Sequence, residues 1–209
     1  MSYLKVITAM LLGLGLSACA SVDTATRNAP LEASALRAVA VPLDVQAIRV
    51  SVPKSLKVSE ANSYYPMGDI VWREDGPGDR YAQIKAIFET ALARGLGGGE
   101  AGGMPVILDV EVTRFHALSE KARYTIGGVH ALHFNVTLRN PATGAPYGPS
   151  KPVKASFKAY GGQAAIAAEQ RGETQKVRIT NHLAQVIRGE LGLPARAQTD
   201  LVAALSVSQ

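Results

Sequence analysis

One cysteine, four histidines and 17 carboxylates are the side chains of this 209-residue chain with the clearest chemical potential. Cys19 has no second thiol to pair with, which excludes an intrachain disulfide and any zinc site needing two thiolates. His130 and His133 stand three apart in a segment of alternating hydrophobicity. Residues i and i+3 of a strand point to opposite faces, so these two cannot chelate one ion. The expectation is a core-edge His130 with a hydrogen-bond partner and a surface His133. His116 could neighbour either across a sheet, but no His-Glu-x-x-His pattern accompanies it. Asp109 and Glu111 share one side of a strand, as an acid/base pair could; carboxylates alternating with Val and Leu read more simply as the strand's polar half. Gly97, Gly99 and Gly102 spell G-x-G-x-x-G, yet a dinucleotide fingerprint follows a strand and opens a helix. Here it follows a helix and precedes a strand, so it reads as a linker. Neither G-x-S-x-G nor a Walker-type Gly-Lys-Ser/Thr occurs. The sequence therefore predicts no enzyme, with no catalytic residue, cofactor or metal assigned.

The elements that must position these residues follow from hydrophobic period. Ile48, Val50 and Val52 alternate in a first strand closed by Pro53, and Asp69–Arg73 is a second, shorter apolar piece. Glu74–Gly78 is a dense turn signal. Asp79 is the expected N-cap of a helix over Arg80–Arg94, with Ile84, Ile87, Phe88, Ala91 and Leu92 on one stripe. Pro105–His116 and Val129–Arg139 are long strands, and Asn140–Gly144 has a hairpin loop's composition before a third at Lys151–Ala159. Gln163–Gln170 is a short helix. Glu173–Leu191 is a longer one whose expected stripe is Val177, Thr180, Leu183, Ala184, Ile187 and Leu191. This order predicts an α+β two-layer sandwich: a mainly antiparallel sheet of about four strands with two main helices on one face. With 22 Lys and Arg against 17 Asp and Glu, the net charge of +5 is too mild for a dedicated nucleic-acid binder.

The N-terminus addresses the compartment. Met1–Lys5 carries one positive charge, and Val6–Leu16 is an apolar run too short to span a bilayer but the right length for a signal-peptide core. Leu16-Ser17-Ala18-Cys19 follows, and here the chain resembles the bacterial lipoprotein signal, in which the Cys is diacylated and cleavage falls just before it. The resemblance implies a lipid anchor on Cys19, and two or more acyl chains give firm membrane attachment. The division it suggests is a signal over 1–18, a lipidated tether over 19–44, one α+β domain over 45–194 and a tail over 195–209. By resemblance to enterobacterial sorting signals, Ala20 and Ser21 in place of Asp imply delivery to the periplasmic face of the outer membrane.

In architecture the chain is similar to accessory lipoproteins of envelope transport and assembly systems, and to uncharacterised lipoprotein families with a domain of unknown function. The resemblance implies binding of an envelope protein or lipid partner rather than catalysis, and it leaves the oligomeric state open. The candidate partner surface comprises Tyr64, Tyr65, Lys151, Lys154 and Lys158. Arg114, Lys121, Arg123 and Arg139 flank the neighbouring strands as a basic surface for lipid phosphates; edge-strand protection is the simpler reading. Trp72 is expected in the core. Two other functions compete: a small periplasmic hydrolase built on His116, His130 and Asp109, and a structural or stress-related envelope protein.

Overall fold

The structure, a computed structural model, describes residues 42–97 and 102–193. They belong to one unit running from Ala40 to Gln209. The signal, Cys19, most of the tether, Gly99 and the C-terminal tail lie outside the described residues.

Alternation of apolar and polar residues sets the strands. They are β1 (Leu43–Ser51), β2 (Ile70–Val71), β3 (Met104–His116), β4 (Gly128–Arg139), β5 (Lys151–Lys154) and β6 (Phe157–Ala159). The helices are α1 (Arg80–Leu96), α2 (Glu120–Arg123), α3 (Gln163–Gln170) and α4 (Gln175–Glu190). This is a mixed α+β fold with one six-stranded sheet and four helices among the described residues.

The sheet departs from the expected four strands in two ways. β1 and the two-residue β2 both pair in parallel with β3, while β4 pairs antiparallel with β3, β5 and β6. A strand that returns through a covering helix lies parallel to the first, and α1 is that crossover between β1 and β3. The expected single strand over Lys151–Ala159 is divided at Ala155–Ser156. Its register against β4 nevertheless runs on unshifted, from Phe134↔Val153 to Gly128↔Ala159. β5 and β6 therefore form one ribbon along the outer edge of β4.

One face of the sheet is the core. Leu108, Val110, Val112 and Phe115 of β3 and Leu132, Phe134 and Val136 of β4 pack with Ile84, Ile87, Phe88 and Ala91 of α1 and Ile179, Leu183 and Ile187 of α4. Edge-to-face rings knit it together: Phe88 lies 5.4 Å from Phe134, and Trp72 lies 5.6 Å from Phe115. Asp79 caps α1 as expected, accepting from the Tyr81 and Ala82 amides at 2.9 and 3.2 Å. The stripe of α4 keeps Thr180, Leu183, Ala184 and Ile187 buried and Leu191 packed against the core, as expected, and differs at its start. Val177 is exposed and Ile179 is buried, because Ile179, Leu183 and Ile187 repeat every four residues and fill the face toward α1.

The pairing of β3 with β4 shifts register between Val112 and Arg114. The bulge adds one residue between two inward positions, so Val112 and Phe115 both face the core. It also sets Arg114 opposite His133, on the other face of the sheet.

Candidate functional site

The second face of the sheet carries the polar half of each strand. From β3 come Asp109, Glu111, Arg114 and His116; from β4 come Val129, His133, Asn135 and Arg139; from the edge ribbon come Lys154 and Lys158. These side chains are half-buried or exposed. Asp109 is ion-paired to Arg139 across the strands, which fits the polar-half reading. The hydrolase constellation is not formed. His116 pairs with Ala131 and so shares that residue's face, whereas His130 faces the core.

His130 differs from the expected hydrogen-bonded core-edge residue. It is buried with no hydrogen-bond partner on Nδ1 among the described residues. Its ring lies 4.9 Å from the tilted ring of Phe157, which lies 4.2 Å from that of His182. Burial, then the Arg178 and Arg123 charges, pushes the imidazole down to about 3, so it is neutral at every physiological pH. It floors a cavity of about 10 Å³ with Arg123, Glu169 and Arg178, room for roughly one water.

The predicted basic surface is sorted by the fold. Lys151 is bound to Glu190 of α4 at 2.6 Å, with its Cα opposite Val136, so it belongs to the helix side. Arg123 is buried rather than exposed, ion-paired with Glu74 at 3.1 Å and with Glu169. Arg114, Lys154 and Lys158 have no ion pair among the described residues. Arg114, His133 and Lys154 are cross-strand neighbours in one row. His133 feels it: burial, then Arg114, then Lys154, holds its pKa below the ordinary imidazole value. Replacing either cation by Gln is expected to raise that pKa, Arg114→Gln more than Lys154→Gln, in an NMR titration of the ring. An unmoved titration would contradict the placement of the row.

Beside this face lies an exposed lip. Tyr65 is 82% exposed and Met67 88%, on a loop held from three sides. The His116 ring bonds the Pro66 carbonyl at 2.9 Å, the Ser119 hydroxyl donates to the Ser63 carbonyl at 2.6 Å, and the Lys121 amide donates to Asn62 at 2.8 Å. The Lys121 ammonium stands 4.6 Å above the Tyr64 ring. On the other side of α2, the turns at Gly127 and Gly161 touch backbone to backbone; a Cβ on Gly161 would lie 2.1 Å from the Gly127 nitrogen. That contact sets exposed Ile126 beside exposed Tyr160. Trp72 is fully buried, as expected, and donates from Nε1 to Asp75 at 2.9 Å.

The loops leading into α1 hold a second charged cluster that the sequence did not signal. Arg80 is buried, with its guanidinium on Glu60 at 2.7 and 2.9 Å and on the Asp75 and Gly76 carbonyls at 3.0 Å. Arg73 bonds Glu120 at 2.5 Å. A hydrogen bond from Arg80 holds the Glu60 carboxyl below its usual range. For Glu120, burial acts upward, but the Arg73 bond, a backbone hydrogen bond and the Arg73 and Arg123 charges together outweigh it and leave the pKa lowered. Every charge here is consumed in fixing loop to helix, so the cluster is structural. Among the described residues no group of His, Cys, Asp and Glu is arranged to hold a metal ion.

The described residues form an α+β sheet domain with one face covered by helices and the other polar and partly cationic. The chain belongs to the family of unknown function DUF6778, whose model matches residues 43–206. No curated protein matches it. Among solved structures it is similar to a candidate lipoprotein from Caulobacter crescentus CB15, at 16% identity over 78% of this chain and 92% of that one, with a TM-score of 0.35. It is also similar to a Xanthomonas campestris protein of family DUF330, at 13% identity over 73% and 90%, TM-score 0.40. The PelC dodecamer from Paraburkholderia phytofirmans matches at 14% identity over 75% and 94%, TM-score 0.34.

Proposed function

We propose that this chain is a lipid-anchored envelope lipoprotein, held through Cys19 at the periplasmic face of the outer membrane. Its domain binds rather than catalyses, as an accessory subunit in envelope assembly or lipid transport. The observation that carries the binding reading is the sorting of side chains between the two sheet faces. The residues that could have formed a hydrolase are divided, His130 toward the core and His116 and Asp109 toward the second face, with Asp109 consumed by Arg139. Cations without carboxylate partners among the described residues, and exposed aromatic and apolar side chains, gather instead on and beside the second face, the composition of a recognition surface. Among the described residues no helix is long and apolar enough to cross a membrane, and attachment in this reading falls to the acylated Cys19. Cross-linking in intact membranes from positions 65 and 154 is expected to recover an envelope protein or lipid. Recovery of neither would contradict the reading.

A further inference from the structure

We propose that the row Arg114, His133 and Lys154, extended by Lys158, is a docking surface for the anionic headgroups of a lipid bilayer, with Tyr65 and Met67 entering the interfacial layer beside it. The membrane's proximity rests on the lipid-anchored function; the chemistry of the surface stands on its own.

Adjacent strands lie about 4.8 Å apart, so a residue on β3, its partner on β4 and that residue's partner on β5 are spaced within about 10 Å. Arg114, His133 and Lys154 occupy those three places. Like charges set across strands disfavour the fold, and neighbouring cations avoid this by pairing: Arg139 with Asp109, Lys151 with Glu190. Among the described residues Glu111, the exposed carboxylate one row along and opposite Asn135, forms no ion pair. Among the described residues Arg114 and Lys154 thus keep a positive field without a carboxylate partner, which an external anion would relieve.

Edge protection accounts for Lys154 and Lys158, which lie on the edge ribbon. It does not account for Arg114 and His133, because β3 and β4 are interior strands flanked on both sides. The apolar border points the same way. Tyr65 and Met67 flank Pro66, whose carbonyl is fastened to His116 on this face, and exposed Val129 sits opposite Lys158. Tyrosine, exposed aliphatic groups and long cationic side chains on one surface match the headgroup layer of a bilayer. A pocket for a lone phosphate would need enclosing walls and converging amides, whereas these cations are spread along an open sheet.

The test is co-sedimentation of residues 19–209 carrying Cys19→Ser, so that neither acylation nor the apolar run Val6–Leu16 contributes. The probes are vesicles of phosphatidylethanolamine with phosphatidylglycerol, and vesicles of phosphatidylcholine alone. Preference for the anionic vesicles is expected, falling roughly fivefold for each cation removed and about 25-fold for Arg114→Gln with Lys154→Gln. Lys154→Gln alone, at an exposed position, serves if the double variant folds poorly. Tyr65→Ser with Met67→Ser should weaken binding to the anionic vesicles without altering its salt dependence. Lys151→Gln, on the helix side, should bind as its parent does. Equal binding to both vesicles, no loss in the Arg114 and Lys154 variants, or an equal loss in Lys151→Gln would overturn the proposal. Loss of a protein cross-link with vesicle binding intact would overturn it too, by assigning the row to a protein. The lipid-anchored function fails separately, if the unsubstituted protein is not membrane-anchored.

Discussion

Arg123→Met is expected to lower the stability of the domain by about 3–5 kcal/mol in a urea titration, the cost of breaking a buried ion pair by removing one partner. Arg123 is 10% exposed in its side chain and is the shared cation of Glu74 and Glu169, themselves 15% and 27% exposed. Met preserves much of the length and removes the charge, so both carboxylates are left poorly solvated and without their cation. Glu74 also accepts from the Lys176 amide at 3.0 Å in the first turn of α4, and Glu169 accepts from the Tyr124 hydroxyl at 3.2 Å. The loss therefore loosens α2, α3 and the start of α4 together. Adding Glu74→Gln and Glu169→Gln to Arg123→Met should recover most of it, since the cost lies in stranded charge rather than in a missing attraction. A single variant as stable as the parent would show the triad to be solvated.

Trp72→Ala is the second large loss, about 3–5 kcal/mol for a fully buried aromatic. The side chain packs edge-on to Phe115 at the end of β3 and supplies one of the hydrogen bonds on Asp75. Asp75 also takes the Lys176 ammonium at 2.8 and 3.1 Å. Burial acts to raise the Asp75 carboxyl, but the bonds from Lys176 and Trp72 and the Lys176 and Arg80 charges together outweigh it and leave its pKa lowered. A carboxyl lowered on folding contributes stability that is present above its unfolded value, near 4, and is lost as the pH falls through the folded one. Asp75, Glu60 and Glu120 all carry this sign. Trp72→Phe keeps most of the packing and removes the indole donor, so it should narrow the acid-side part of this dependence. A parent-like acid transition in Trp72→Phe would mean that Lys176 alone sets Asp75.

What the sequence made legible was whatever a local period determines. The bounds of β3 and β4 fall within a residue of those read from alternation, and the Asp79 cap and the stripe of α1 are as expected. Pairing was not legible. Nothing in Leu43–Ser51 says that it lies parallel to β3 rather than antiparallel, because that follows from where α1 returns the chain. The face of α4 was legible from Thr180 to Ile187 and differs only at its start, where Val177 and Ile179 are both apolar and the docked α1 selects Ile179. α2 was missed as an element, although Ser119 before Glu120 is a cap signature, because four residues leave no period to detect.

The same limit governed the site. Arg114, Arg123, Arg139, Lys151 and Lys154 look alike as letters near strands; register sets Arg139 beside Asp109, whereas Arg123 and Lys151 find their carboxylates on the loop before α1 and on α3 and α4. The bulge at Val112–Arg114 is the clearest case. Strict alternation from Val112 would have placed Arg114 on the core side, and the extra residue puts it beside His133.

The central claim is that this domain works from a membrane through a lipid on Cys19, and partitioning in a cloud-point detergent tests it most directly. The unsubstituted protein is predicted to enter the detergent phase and the Cys19→Ser variant to remain in the aqueous phase. Equal partitioning of the two would contradict the anchor and, with it, the placement of this domain at the envelope surface.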